Sequence, residues 1–298
     1  SLNLDQLYKY SIFLFFISLI SLFLVPFVGV EVKGSKRWID LFFLPRFQPI
    51  EVLKPFLIII LATIFCDIRT NILFKYLISI FLISVISLLL IAQPDIGQTL
   101  LVVFCWAALI FTSGINIYIL LAIFIAGASL LAYLIIFVPK FDYIQGRIFS
   151  FFNRETGTHN FQSDKAIESI TSGGFFGKGI GEGVLKNRVP EAHTDYIISV
   201  ISEEFGVVAI MLILLLFLIL IYMVFKKISF ETNDKVKLIL IGSISLILMQ
   251  ATIHVGVNIR LFPTTGMTLP FLSYGGSSII STSILAGIIL NLTKRKIT

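Results

Sequence analysis

The chain has 298 residues, of which 57% are hydrophobic and 13% charged, with a formal net charge of +6 and a mean hydropathy of +0.99. A soluble domain carries roughly 25% charged residues, so this composition excludes a water-soluble globular protein and makes lipid the solvent. The positive balance does not indicate nucleic acid either: Lys and Arg gather at the ends of apolar runs, where they orient spans and meet anionic headgroups, and no basic stripe with interleaved aromatics occurs.

Taken in chain order, apolar runs predict spans at Tyr10–Val30, Pro49–Phe65, Tyr76–Ala92, Gln98–Ser113, Ile117–Val138, Tyr196–Phe225, Val236–Val257 and Ser278–Leu292. The expected fold is therefore all-α, a polytopic helical membrane protein of about eight spans forming a single integral membrane domain over residues 1–298. With both termini cytoplasmic, the short inner segments hold ten Lys and Arg, from Lys9 to Lys296. The short outer loops then hold five: Lys33, Lys36, Arg37, Arg46 and Arg260. The long segment 139–194 then lies outside as a loop or lid. Its phenylalanines, among them Phe149, Phe152, Phe161, Phe175 and Phe176, argue for an ordered cap resting on the outer leaflet. A short helix is expected from about Ser163 to Ile170, with Ala166, Ile167 and Ile170 on one face. Cys66 and Cys105 read as small core residues, not as a disulfide or zinc framework.

The outer segments carry the chemistry. Gly34-Ser35-Lys36-Arg37-Trp38-Ile39-Asp40 sets cations beside an aromatic ring; it reads either as an interfacial anchor or as an anion site, Arg37 being suited to bidentate phosphate contact. Phe47-Gln48-Pro49-Ile50-Glu51-Val52-Leu53-Lys54-Pro55 opens the second span. Pro49 suits the first helical position, Glu51 and Lys54 share a face, and Pro55 leaves the Glu51 carbonyl without its helical donor. Lys54 is expected to face a polar cavity opening outward, although an interfacial ion pair is the simpler reading. Gln93-Pro94-Asp95-Ile96-Gly97-Gln98 has the spacing of a capping box, with Asp95 as cap. Gly173 to Gly179 imitates a phosphate loop, but Ser172 holds the first glycine position, Gly179 replaces the Ser/Thr and no strand precedes it, so nucleotide binding is rejected. A tight loop with one cation, Lys178, is left, and Gly173 and Gly174 are expected to let backbone approach a bulky headgroup.

Val189-Pro190-Glu191-Ala192-His193-Thr194-Asp195 is the densest group of titratable side chains beside an apolar span. Asp195 falls in the first turn of that span, where the helix dipole favours the charged carboxylate. It reads either as a stabilising first-turn acid or as a base held ready at the membrane surface. His254 and His159 are isolated and receive no role, and metal-ligand spacings such as His-Glu-x-x-His are absent.

Together these segments resemble the SEDS family (shape, elongation, division and sporulation), its FtsW-like division branch more than its RodA-like elongation branch. The resemblance runs from Val30 to about Leu292. It rests on Gly-Val-Glu-Val-Lys-Gly-Ser-Lys-Arg-Trp-Ile from Gly29, Phe-Gln-Pro-Ile-Glu from Phe47 and Gln-Pro-Asp-Ile-Gly from Gln93. Pro-Glu-Ala-His-Thr-Asp from Pro190 and Gly-Met-Thr-Leu-Pro-Phe-Leu-Ser-Tyr-Gly-Gly-Ser-Ser from Gly266 complete it. Ile50 stands where Ser is usual and His254 where Asn is common, and Arg260 matches no fixed position. Members usually cross the membrane ten times and this chain starts where their third span begins, so two N-terminal spans are expected to be absent from it.

The resemblance implies an inverting peptidoglycan glycosyltransferase that polymerises lipid II into β-1,4 glycan strands outside the bacterial cytoplasmic membrane during cell division, at the septum. It places the essential carboxylate on Asp195. Substrate and pyrophosphate contacts fall on Lys54, Arg37, Trp38, Glu51, Glu191, His193 and Lys178, and a structural motif on Gln93, Pro94, Asp95, Ser273, Tyr274, Gly275 and Gly276. Diphosphate neutralisation would proceed with or without a divalent cation, Mg or Mn. Implied partners are lipid II, membrane lipids, a class B penicillin-binding transpeptidase and other division proteins. The competing readings are a lipid II flippase and a non-catalytic scaffold for the transpeptidase; the notable charges cluster near the outer surface and not along a path through the bilayer, which favours the enzyme.

Overall fold

The computed structural model describes residues 3–32, 35–41, 44–152 and 158–294. Lys33, Gly34, Arg295, Lys296 and residues 153–157 of the predicted lid lie outside the described residues. All eight apolar runs form helices: α1 (Leu4–Val28), α2 (Pro49–Phe65), α3 (Ile72–Ala92), α4 (Ile96–Thr112), α5 (Ile117–Phe137), α8 (Ile197–Phe230), α9 (Asp234–Asn258) and α10 (Gly276–Thr293). Two more, α6 (Asp142–Phe152) and α7 (Thr158–Gly173), lie in the long loop. Among the described residues six helices (α1, α3, α5, α8, α9 and α10) are long and apolar enough to cross a membrane. The other two predicted spans, α2 and α4, have 17 residues each. At 1.5 Å per residue that is about 26 Å, slightly under a hydrocarbon core of about 30 Å.

Three short strands were not expected from the sequence: β1 (Val30–Val32), β2 (Ser35–Leu41) and β3 (Leu44–Phe47), an antiparallel sheet in the order β1-β2-β3. Val30 pairs with Trp38, Glu31 with Lys36 and Ile39 with Phe47. The signal was present, since Val30-Glu31-Val32 alternates and Pro45 suits the edge position that β3 occupies. Ladder bonds satisfy backbone groups that would otherwise be costly beside lipid.

The chain divides into two compact units. The first comprises Ser1–Leu120, Ile221–Met249 and Gly275–Thr298, the second Leu121–Leu220 and Gln250–Tyr274. In the first, α2 is buried along most of its length and packs against α1, α3, α4 and α10. Its charged residues are tolerated because neighbouring helices, not acyl chains, surround it. From α1, Leu7, Ser11, Phe15, Ser18, Leu22 and Val25 are buried at spacings of three and four, one stripe of a helix. Phe13, Phe16, Phe23 and Phe27 lie on its exposed side, the face an acyl chain would cover.

In the second unit α7 extends well beyond the eight residues expected. Its buried face is Ser163, Ala166, Ser169 and Gly173, small residues at spacings of three and four, and Ile167 and Ile170 are only half-buried. Small residues let this face press onto the start of α8. Ser169 Oγ donates to the Ser199 carbonyl at 3.2 Å and Ser202 Oγ to the Ile170 carbonyl at 3.3 Å. Of the lid phenylalanines Phe141 is buried and Phe151 half-buried, while Phe149, Phe152, Phe161, Phe175 and Phe176 are exposed, the faces an outer leaflet would cover. Polar and backbone contacts within the chain hold it. Arg147 on α6 donates to the Thr264 carbonyl at 3.0 Å, and Arg260 pairs with Asp164 of α7.

Candidate active site

The turn from Glu191 to Tyr196 leads directly into α8, and a single carbonyl organises it. Glu191 O accepts the backbone N–H groups of Thr194 at 3.1 Å, Asp195 at 3.1 Å and Tyr196 at 3.3 Å. Glu191 pays for this with a left-handed backbone, φ 56°, a conformation that persists in a non-glycine residue only where surrounding contacts enforce it. Those contacts come from residues 269–274. Ser273 Oγ donates to the Thr194 carbonyl at 2.6 Å while accepting Leu269 N–H at 2.7 Å, and Tyr274 N–H donates to the His193 carbonyl at 2.9 Å. From the opposite side, buried Ala192, Tyr196 and Val189 pack with Ala166 of α7 and Val257 of α9.

Asp195 is half-buried at the head of α8. It lies in the turn two residues before α8 begins at Ile197, not in the expected first helical turn, and Gly266, with φ 71°, passes so close that a Cβ added there would stand 3.6 Å from Asp195 Oδ2. Beside the turn lies a cleft of ≈ 680 Å³ lined by Val189, Glu191, Ala192, His193, Thr194, Val200, Glu204 and Tyr274. The Tyr274 ring is 77% exposed and the Glu191 and His193 side chains are exposed. Carboxylates that accept hydroxyl hydrogens and an open aromatic face are what a sugar-bearing substrate can use.

The structure assigns Lys178 and the glycine-rich loop a different setting from the expected headgroup contact. Lys178 Nζ lies 3.3 Å from Glu203 Oε1, and Glu203 is fully buried. That carboxylate also accepts the N–H groups of Val184 at 3.0 Å and Leu185 at 2.9 Å and the Ser169 hydroxyl at 3.1 Å. At Gly206 the α8 backbone leaves helical geometry, with φ 77° and ψ −179°. The loop crosses at this break: Lys178 N–H donates to the Glu203 carbonyl at 2.9 Å, Gly179 N–H to the Glu204 carbonyl at 3.0 Å and Val207 N–H to the Gly174 carbonyl at 3.0 Å. A Cβ at Gly206 would come within 2.1 Å of the Phe175 carbonyl, and one at Gly173 within 1.9 Å of the Ser202 carbonyl. Gly173 therefore lacks a side chain because α8 occupies the space, not because a ligand does. Glu203 was missed, although a carboxylate inside an apolar run is the signal that marks such residues.

In the first unit the remaining predicted residues form a buried network. Lys54, 1% exposed, lies 2.8 Å from Glu51 Oε2 and donates to Gln98 Oε1 at 3.1 Å, while Gln98 Nε2 donates back to Glu51. The expected pairing of Glu51 with Lys54 is present, and Gln98 joins it as a third member that contacts both charges. Asp95 caps α4 by accepting Gln98 N–H, as the capping box predicts, and also accepts Gln48 Nε2 at 2.9 Å. Burial pushes the Asp95 carboxyl above its ordinary value, against the opposing pull of the Arg37 guanidinium 3.8 Å away. Arg37 donates to the carbonyls of Gln93, at 3.2 Å, and Pro94. Gln93 Nε2 in turn reaches the Leu22 carbonyl at 3.2 Å, and Gln48 N–H reaches Ser277 Oγ at 2.9 Å. Trp38 is half-buried on β2, Gly275 is the N-cap of α10 and Gly276 its first residue. Gln48 and Ser277 were not singled out from the sequence, since neutral amides and hydroxyls give no charge signal. Among the described residues no three His, Cys, Asp or Glu side chains are grouped to hold a metal ion.

The chain matches the family model described as cell cycle protein, FtsW/RodA/SpoVE, over residues 1–297. It is 34% identical over 275 residues to a Caulobacter vibrioides protein named "Probable peptidoglycan glycosyltransferase FtsW", covering 91% of this chain and 69% of that one. A Trichlorobacter lovleyi protein of the same name is 35% identical over 298 residues, covering 96% of this chain and 76% of that one. Among solved structures it is similar to a chain of a peptidoglycan synthase complex that coordinates polymerization and crosslinking (TM-score 0.80, 28% identity, 98% of this chain and 83% of that chain). It is also similar to the rod shape determining protein RodA of Thermus thermophilus (TM-score 0.72, 28% identity, 100% of this chain and 82% of that chain).

Proposed function

Since this chain belongs to the FtsW/RodA/SpoVE family of cell cycle proteins and is an integral membrane peptidoglycan glycosyltransferase, we propose that Asp195 is the general base of its polymerisation reaction. The observation that carries this is the half-buried carboxylate at the head of α8, immediately after a cleft-lining residue, Thr194, on a turn whose backbone is held from two sides. A hydroxyl of the acceptor sugar loses its proton to the Asp195 carboxylate as its oxygen attacks the anomeric carbon of the donor. The bond from that carbon to the diphosphate breaks with inversion, and the diphosphate leaves with the electron pair. Positioned proton transfer of this kind contributes about 10² to 10⁴-fold.

The substrate we assign is lipid II, and the side of the membrane is the outer one, with both termini cytoplasmic as the Lys and Arg distribution supports. A class B transpeptidase partner is supported by the likeness to a synthase complex that couples polymerization with crosslinking. Action in division, at the septum, is supported by relatives that carry the FtsW name. Lys54 and Arg37 are proposed to offset the departing diphosphate. The burial of Lys54 adds a condition: it has to leave Glu51 and Gln98 before it can serve.

The test is polymerisation of lipid II by the purified protein with its transpeptidase partner, glycan strands being resolved on a gel. Asp195→Asn keeps shape and removes the charge. The expected result is loss of strands by a protein that still elutes as a folded species; strands at the parent level would remove Asp195 from the mechanism.

A further inference from the structure

Asn258 is the last residue of α9 and fully buried. Its side-chain amide donates to two carbonyls, that of Asp195 at 3.0 Å and that of His254, one turn earlier, at 2.9 Å. The amide oxygen Oδ1 is buried and has no hydrogen-bond partner among the described residues. An unsatisfied buried acceptor is unfavourable, so packing alone does not account for an amide here. What Asn258 supplies is the pair of N–H donors.

His254, one turn earlier on α9, holds the segment that follows Gly266. It is 1% exposed, and its Nδ1 lies 2.7 Å from the Met267 carbonyl. A carbonyl only accepts, so Nδ1 carries the proton, and Nε2, buried and without a partner among the described residues, is left as an acceptor. Met267 follows Gly266, the residue whose backbone passes beside Asp195 Oδ2. The last turn of α9 therefore grips both segments that flank the carboxylate: one through the Asp195 carbonyl itself, the other through Met267.

We propose that Asn258, with His254 as its second contact, is a positioning residue that sets the height and direction of the Asp195 carboxylate. This inference rests on the reading of Asp195 as the general base. Productive geometry tolerates about 0.5 Å, and a misplacement of about 1 Å costs on the order of 10²-fold in rate. A single amide joining the rigid end of a spanning helix to the base's own backbone restricts that freedom without touching substrate. Loss of the bridge should slow the chemical step and leave substrate binding nearly unchanged.

Asn258→Ser separates this role from a structural one. A serine in a helix bonds the carbonyl four residues back, which here is the His254 carbonyl, but it is too short to keep the bridge to Asp195 as well. Its rate is measured on the full protein with its transpeptidase partner and lipid II, per mole of folded enzyme by size exclusion. The expected result is kcat lowered about 10 to 100-fold, KM for lipid II within about twofold, and a thermal midpoint close to the parent's. An unchanged kcat, or a rise in KM alone, overturns the proposal. Should Asn258→Ser not fold, Asn258→Asp preserves the volume, replaces the donors and is read by the same criteria. Asp195→Asn is run beside it. If that variant is inactive while Asn258→Ser has the parent's kcat, only the positioning role falls; if Asp195→Asn is active, the general-base reading and this inference fall together.

Discussion

Two groups of polar residues in this protein are built on opposite plans. In the first unit Glu51, Lys54, Gln98, Gln48, Asp95 and Arg37 are enclosed, and their side chains are matched to one another or to carbonyls. In the second, it is the backbone of the Glu191–Tyr196 turn that is fastened, through carbonyls of Glu191, His193, Thr194 and Asp195, while Glu191 and His193 expose their side chains beside a cleft. The first arrangement fixes helices against one another. The second fixes a chain trace so that side chains can be presented, which is the usual division between scaffold and site.

The contrast is sharpest in what a single neutral substitution should do. Asp195→Asn should cost about 10² to 10⁴-fold in polymerisation with little change in thermal stability, because the turn is held by backbone contacts that the substitution keeps. Lys54→Met should lower stability as well as polymerisation. It leaves the Glu51 carboxylate buried without its cation, a loss of about 3 to 5 kcal/mol visible as a lowered thermal midpoint in detergent. The double variant Glu51→Gln with Lys54→Met should recover much of that stability, since no uncompensated charge is then buried. If it recovers stability and not polymerisation, Lys54 has a role in the reaction as well. If Lys54→Met is as stable as the parent, the scaffold half of the comparison is broken.

Legibility in the sequence follows the same line. Spans were readable because acyl chains demand a long apolar run, and all eight runs became helices. The Asp95 cap and the Glu51 and Lys54 pair were readable because both are local, three residues apart. The sheet was not read, as its segments are too short for periodicity to separate from an interfacial loop. Nor was the hydrogen bond from Lys54 to Gln98, a contact between residues 44 positions apart, or the bridge from Asn258 to Asp195 across 63 positions. Those depend on packing that no local pattern encodes. The lid was expected to be ordered by phenylalanines resting on the outer leaflet, a contact outside the chain; the contacts within the chain are made by serines, glycines and Glu203, a small-residue face that hydropathy scores as nothing.

That clasp gives the next largest effect. Gly206 holds φ 77° with ψ −179°, and a Cβ would meet the Phe175 carbonyl at 2.1 Å. Such a conformation is almost confined to glycine and costs other residues about 1 to 3 kcal/mol. Gly206→Ala should therefore push the 174–179 loop off the α8 break. Amide exchange at Lys178, Gly179 and Val207 should rise, while exchange in the Glu191–Tyr196 turn, fastened by other contacts, stays slow. Equal acceleration in both would mean that the clasp and the turn are one cooperative piece.

The smallest effect belongs to the Arg260 and Asp164 pair, which joins the loop after α9 to α7. Asp164 is 53% exposed and Arg260 22%, so water and salt screen the attraction, and pairs of this kind are worth about 0.2 to 1 kcal/mol. Arg260 also holds a left-handed φ of 58°, which costs a non-glycine residue about 1 to 2 kcal/mol. The two terms oppose each other and are of similar size, so the backbone decides the sign. Arg260→Ala loses the pair and keeps the strain; Arg260→Gly loses the pair and relieves it. Thermal midpoints should therefore rank Arg260→Gly at or above the parent and Arg260→Ala below both; the gap between Arg260→Gly and Arg260→Ala should be unchanged between low and high salt because strain is not screened, while the gap between parent and Arg260→Ala should shrink. A parent that exceeds Arg260→Gly by more than about 1 kcal/mol would mean that this exposed pair behaves like the enclosed one at Lys54, and the distinction between the two regions would fail at its weakest member.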